Sequence, residues 1–163
     1  MPETSIRTPL GIAVIQGDQQ GISQFYYSSD PPAVPKEVPS ELKEAAAQVK
    51  EYFEGKRKNF QLNLNPSGTI FEKRVWNQLL QIPFGKTISY LELAKNLGDP
   101  NVIRAAASAN GKNPLWILIP CHRVIGSDGS LTGYAGGLSR KKWLLNHESS
   151  SKQQSLFELY PNS

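Results

Sequence analysis

Apolar and polar positions alternate with a period of two near the start of the chain and fall at helical spacing after position 40. Leu10, Ile12 and Val14 alternate with smaller residues, and Gly17-Asp18-Gln19-Gln20-Gly21 has turn chemistry. Ile22, Gln24, Tyr26 and Ser23, Phe25, Tyr27 then form two interleaved sets with one apolar face, which predicts a β-hairpin. Four prolines between Ser28 and Pro39 make a stiff connector. Ser40 is placed as an N-cap, and Leu42, Ala45, Ala46, Val49, Tyr52 and Phe53 share one face of a helix that Gly55 ends. Phe60, Leu62 and Leu64 alternate as a further strand. The expectation for residues 1–64 is a small α+β unit without a catalytic constellation.

Asn65-Pro66-Ser67-Gly68 marks the boundary to a second domain over residues 65–150, with 151–163 as a loose tail. Thr69 and Glu72 have capping-box spacing, ahead of the helical stripe Phe71, Val75, Trp76, Leu79, Leu80. Ser89 caps a short helix with Leu91, Leu93, Ala94 and Leu97 inward. Gly98 ends it in a left-handed conformation, and Asp99-Pro100 start a third helix over 101–110. Two short helices across a tight Gly turn have the layout of a helix-turn-helix. The third helix offers Arg104 amid alanines, and a helix that reads the major groove carries several polar side chains. Small side chains suit close approach to the minor groove, with Arg104 as a wedge in the base stack. An alanine-packed helix with Arg104 in a salt bridge fits the same residues.

Leu115 to Ile119 is an apolar run that predicts a buried strand, and Pro120-Cys121-His122-Arg123 follows at its exit. Cys121 is the single cysteine of the chain, so no intrachain disulfide is available to it. A lone cysteine in such a setting is more often a small core hydrophobe than a nucleophile, so Cys121 alone decides nothing. Ser127-Asp128-Gly129 marks a turn, and Tyr134-Ala135-Gly136-Gly137 is a loop whose glycines allow close backbone approach. Ser139 is placed as the cap of a last helix, with Leu138 and Trp143 as a hydrophobic staple.

Composition narrows the class. The chain has 163 residues, 39% hydrophobic and 20% charged, as expected of a globular protein. No apolar run approaches the roughly 20 residues that span a bilayer, and Met1-Pro2-Glu3-Thr4 is no signal peptide. With one cysteine, the expected setting is reducing and intracellular: cytoplasmic, or nuclear in a eukaryotic source. A net charge of +4 permits a nucleic-acid partner without requiring one.

Pro120-Cys121-His122-Arg123-Val124 resembles the active-site motif of the O6-alkylguanine-DNA alkyltransferases, which repair DNA by direct reversal. The likeness runs from about Phe71 to Glu148 and takes in Ile88-Ser89-Tyr90, Arg104-Ala105, Asn113-Pro114, Ile117 to Val124, Tyr134, Gly136-Gly137-Leu138 and Trp143 to Glu148. Residues 1–64 resemble the family only in layout, as its ribonuclease-H-like domain. The resemblance implies a mainly helical second domain with a winged helix-turn-helix layout. It also implies a suicide reaction, in which the alkyl group of O6-alkylguanine, and of O4-alkylthymine, passes irreversibly to Cys121 after the nucleotide is flipped out.

The same resemblance implies the roles. His122 draws the thiol proton through a bridging water, Glu148 orients the imidazole, and Asn113 ties the helix-turn-helix to the active-site segment. Tyr90 presses on a phosphate and supplies a proton toward guanine N3. Arg104, Ala105 and Ser127 face DNA, Arg104 filling the vacated stack. Tyr134, Ala135, Gly136, Ile119 and Trp116 form the substrate pocket. The partner implied is double-stranded DNA, met in the minor groove with little sequence preference by a monomer. No cofactor is implied, and the zinc ligands of vertebrate-type members are missing, so no metal is expected. Ala135 stands where some relatives carry Ser, and Asn110 where some carry a bulkier apolar residue.

Three other functions compete. A lesion sensor of the alkyltransferase-like type carries Trp in place of the reactive Cys, and Cys121 argues against it. A cysteine hydrolase would need direct Cys121–His122 contact, awkward for neighbours on a strand. A helix-turn-helix regulator is disfavoured by the alanine-rich third helix.

Overall fold

The computed structural model describes residues 1–149, and the expected tail over 151–163 lies outside them. The described chain divides into two compact units: Met1–Ser67 with Pro114–Leu118, and Gly68–Asn113 with the chain from Ile119 onward. The architecture is α+β, with a small sheet in the first unit and mostly helix in the second.

In the first unit, β1 (Glu3–Thr8), β2 (Gly11–Asp18) and β3 (Gly21–Tyr27) form an antiparallel sheet in the order β1-β2-β3. The predicted hairpin is β2–β3. It carries a register shift at Gln16/Gly17, where a Cβ on Gly17 would lie 2.7 Å from the Gly21 carbonyl oxygen. Strand β1 has one large apolar residue, Ile6, and therefore no alternation that the sequence could betray. Ala13, Val14, Ile15, Ile22, Phe25 and Tyr27 of the sheet are buried, as are Leu42, Ala45, Val49 and Tyr52 on and before α1 (Lys43–Phe53).

Two expectations here are corrected. Ser40 is not a cap: Pro39 precedes a 3-10 turn over Ser40–Leu42, and the Ser40 hydroxyl donates to Glu41 at 2.9 Å. Phe60, Leu62 and Leu64 do alternate in burial, but only Leu64 bridges the sheet, through Ile22, so no strand forms.

Leu115 to Ile119 is buried except for Trp116, yet it is not a strand. A single bridge joins Phe25 and Leu115, with Trp116 N–H donating to the Phe25 carbonyl at 3.1 Å. The chain then turns, Leu118 N–H donating to the Trp116 carbonyl at 2.8 Å. Ile117 holds φ at 72°, a left-handed conformation that costs a β-branched residue roughly 1–2 kcal/mol.

In the second unit, α2 (Ile70–Leu79) opens with the predicted capping box: Glu72 N–H donates to Thr69 Oγ1 at 3.0 Å, and Thr69 N–H donates to Glu72 Oε1 at 2.9 Å. Ser89 caps α3 (Tyr90–Asn96), accepting from Glu72's counterpart Glu92 at 3.0 Å. Gly98, at φ 99°, closes α3: its N–H bonds the Lys95 carbonyl and that of Asp99 bonds the Ala94 carbonyl. Asp99 caps a 3-10 turn over Pro100–Val102, and α4 (Ile103–Gly111) follows, so the third helix starts later than expected. Helices α2, α3 and α4 pack together, and the Trp76 indole donates to the Ala109 carbonyl at 2.9 Å. Residues Ile88–Ser89 (β4) pair in parallel with Val124–Ile125 (β5), which sets the start of α3 beside the segment after Cys121. The last helix, α5 (Leu138–Glu148), is preceded by Gly137 at φ 94° rather than by Ser139, and Leu138 is exposed rather than stapled to Trp143. Trp143 stacks on His147 instead, with ring centroids 4.8 Å apart.

Candidate active site

Cys121 opens a 3-10 turn, Cys121–Arg123, rather than ending a strand. The objection that neighbours on a strand face opposite ways therefore lapses. Two asparagines fix the turn. Asn113, just past α4, donates from Nδ2 to the Ile119 carbonyl at 2.8 Å and bonds the Cys121 thiol through its side chain. Asn110, inside α4, is buried and donates to the Cys121 carbonyl at 3.4 Å. Asn110 thus supports the nucleophile's backbone from within the core.

The Cys121 side chain is buried, and that burial pushes its thiol up to about 11, against the pull of the Asn113 amide and the Lys141 charge. At neutral pH it is a thiol in this arrangement, so any nucleophilic role needs a base. His122 is fully buried, with Nε2 2.8 Å from Glu148 Oε2 at the end of α5. Its Nδ1 is buried with no hydrogen-bond partner among the described protein groups. Arg123 completes the cluster: Nε donates to Glu148 Oε1 at 2.7 Å, Nη2 to Oε2 at 2.9 Å and Nη1 to the Ile82 carbonyl at 2.7 Å. Burial raises the Glu148 carboxyl, but in acid the imidazolium of His122 and the guanidinium of Arg123 outweigh it and hold it well below the usual carboxylate range.

On the other side lie Tyr90 and Lys141. Tyr90 Oη donates to the Thr132 carbonyl at 3.0 Å, and burial raises its hydroxyl, so it stays a proton donor. Lys141 of α5 is fully buried, its Nζ donating to the carbonyls of Val124 at 2.6 Å, Thr132 at 2.7 Å and Gly133 at 3.3 Å. Burial brings its ammonium down to about 8, while negative charge on the Cys121 sulfur would pull the other way.

Of the residues the sequence singled out, Cys121, His122, Glu148, Asn113, Ile119 and Tyr90 are brought together. Arg104 and Ala105 are exposed on α4, and Arg104 enters no ion pair among the described residues. Ser127 is exposed at its turn, where Gly129 N–H donates to the Gly126 carbonyl at 2.9 Å. Tyr134 is half-buried, Ala135 exposed, and Gly136 buried with its carbonyl held by Arg140 Nη1 at 3.1 Å. Trp116 belongs to the first unit, its ring centroid 5.8 Å from that of Tyr27. Sequence reasoning gave no role to Lys141 or Arg123. Lys141 had a readable signal, a charge placed three, four and seven residues before Leu144, Leu145 and Glu148, on the buried stripe of α5.

Fold and site together define an α+β protein whose helical unit holds a thiol, an imidazole, a carboxylate and a helix-turn-helix. Residues 1–66 match the family model for the 6-O-methylguanine DNA methyltransferase ribonuclease-like domain, and residues 70–150 that for its DNA binding domain. The chain is 43% identical over 150 residues to the methylated-DNA–protein-cysteine methyltransferase of Methanosarcina acetivorans, covering 88% of this chain and 95% of that one. It is 41% identical over 155 residues to the constitutive methylated-DNA–protein-cysteine methyltransferase of Bacillus subtilis, covering 89% and 93%. The crystal structure of Mycobacterium tuberculosis OGT in complex with DNA superposes with a TM-score of 0.83 at 38% identity, covering 95% of this chain and 98% of that one. The chain belongs to the 6-O-methylguanine DNA methyltransferase family.

Proposed function

We propose that this protein repairs DNA by direct reversal, transferring the alkyl group of O6-alkylguanine to Cys121 once per molecule. The observation that carries the reading is the buried Cys121–His122–Glu148 set, in which Glu148 fixes one face of the imidazole and leaves Nδ1 free to accept a proton. His122 takes the Cys121 proton through a water, and the thiolate attacks the alkyl carbon in line. The S–C bond forms as the C–O6 bond breaks, and the electron pair leaves with guanine. Tyr90 hands a proton to the leaving base at N3, and His122 keeps the one it took. The thioether has no ready leaving group, so Cys121 is not regenerated. O4-alkylthymine offers the same alkyl carbon and is a second substrate.

The target carbon is inside the duplex, so the nucleotide must leave the stack. The exposed Arg104, followed by three alanines, suits entry from the minor groove, where its guanidinium fills the gap. Ala105 and Ser127 meet the backbone without sequence preference. Tyr134, Ala135, Gly136 and Ile119 bound the pocket for the flipped base. The protein works as a monomer, with the chemistry in the domain over 65–150 and none in 1–64. Work on genomic DNA places it in the cytoplasm of a cell without a nucleus, or in the nucleus of one that has it.

Incubation with duplex DNA carrying O6-methylguanine, followed by intact-protein mass spectrometry, tests this. The expected product is protein bearing one added methyl group, on Cys121. Repeated turnover in excess substrate, or tight binding with no mass change, would overturn it, the latter in favour of lesion sensing.

A further inference from the structure

We propose that Arg123 is a positioning residue that keeps His122 a neutral base, its proton on Nε2 and its lone pair on Nδ1. The proposal rests on the reading of His122 as the base for Cys121. Three observations lead to it. A carboxylate accepts and does not donate, so the ring nitrogen 2.8 Å from Glu148 Oε2 is the one that bears hydrogen. The opposite nitrogen, Nδ1, is buried without a partner among the described protein groups. As a bare acceptor it can take the hydrogen of the water that bridges it to Cys121, whereas in an imidazolium it would be a donor and could not.

The third observation is the charge count. Glu148 is clasped at both oxygens by Arg123, whose remaining nitrogen is spent on the Ile82 carbonyl. One cation and one anion already balance, with side-chain exposures of 8% for Arg123, 1% for Glu148 and 0% for His122. A proton on His122 would leave a net positive charge in a cluster shielded from bulk solvent. The other groups turned toward the site act the same way. Lys141 of α5 adds a second cation coupled to Cys121, and Tyr90 of α3 and Cys121 itself are neutral proton donors. Helix α2, also packed on the turn, buries Val75, Trp76 and Leu79, while its Lys73 and Arg74 are exposed. Without Arg123, the Glu148 anion would lose its guanidinium counter-charge and draw a proton onto His122. The imidazole would then be unable to accept one from Cys121.

The chain has two histidines, so ring-nitrogen NMR of the full-length protein resolves them, with His147→Gln identifying the other. The expected result is a neutral His122 with hydrogen on Nε2 and a bare Nδ1 at about pH 7. An imidazolium there, or hydrogen on Nδ1, overturns the proposal. Arg123→Gln should move the acid limb of the methyl-transfer rate profile up by about one unit, so that transfer falls up to roughly tenfold on that limb and recovers at higher pH. Arg123→Lys should keep the acid limb near that of the parent, because the charge remains. A uniform loss at every pH in Arg123→Gln would also overturn it. If that variant does not fold, the parent spectrum still decides. A parent that shows the expected tautomer yet never methylates Cys121 would sink the repair reading and leave the Arg123 assignment standing.

Discussion

Burial holds the Cys121 thiol up to about 11 and the Lys141 ammonium down to about 8, and each is the other's electrostatic neighbour. At neutral pH both keep their protons, which is the pairing that favours a thiolate at the moment of attack. The charge waiting beside the sulfur is positive and fixed by three carbonyls. Lys141→Met is expected to slow methyl transfer by about tenfold to a hundredfold in single-turnover measurements. Alkylation of Cys121 by a small uncharged reagent should slow in parallel, because the loss is of thiolate rather than of DNA contact. Cys121→Ser should end transfer altogether while duplex binding, read by gel shift, persists. Surviving transfer would mean that another side chain is the nucleophile.

The α3–turn–α4 pair shows what a sequence states most openly about an element, its ends. Ser89, Gly98 and Asp99 sit where their chemistry puts them, because a cap or a left-handed glycine acts on neighbours in sequence. Apolar runs are less explicit: Leu115 to Ile119 reads as a strand, since an unbroken apolar run lacks the period that separates strand from turn. At the site, the residues of the motif were legible and their clasp was not. Arg123 and Lys141 owe their burial to partners far along the chain, Arg123 to Glu148 and Ile82 and Lys141 to Val124. Exposed Arg104 on α4 gives the prediction at this scale. Arg104→Ala should slow repair within a duplex well beyond its effect on free O6-benzylguanine, compared by rates of Cys121 alkylation. Equal slowing of both substrates would remove the base-flipping role. A Cβ at Gly98 meets no neighbour within 4 Å, so the cost of Gly98→Ala is conformational, about 1–2 kcal/mol by chemical denaturation.

Across the whole molecule, the groups that would carry out the reaction fall in the second unit, while the first supplies a sheet, α1 and the bridge to Leu115. No described helix is long and apolar enough to cross a membrane. The stability of the second unit is tied to its chemistry through Glu148, which closes α5 and holds both His122 and Arg123. A carboxyl whose folded pKa is depressed contributes stability that is fully present above its unfolded value, near 4.3, and is lost as pH falls toward the folded one. Urea unfolding should therefore show stability falling below about pH 4.5, with this one group contributing up to ~1.4 kcal/mol per pH unit. Glu148→Gln is the matched comparison. It should be less stable at neutral pH, because Arg123 keeps its place without a counter-charge, and its stability should fall less steeply between about pH 4.5 and 3. If the two proteins lose stability in parallel through that window, the acid sensitivity arises elsewhere in the chain, and the His122–Glu148–Arg123 cluster is not what couples the fold to its active site.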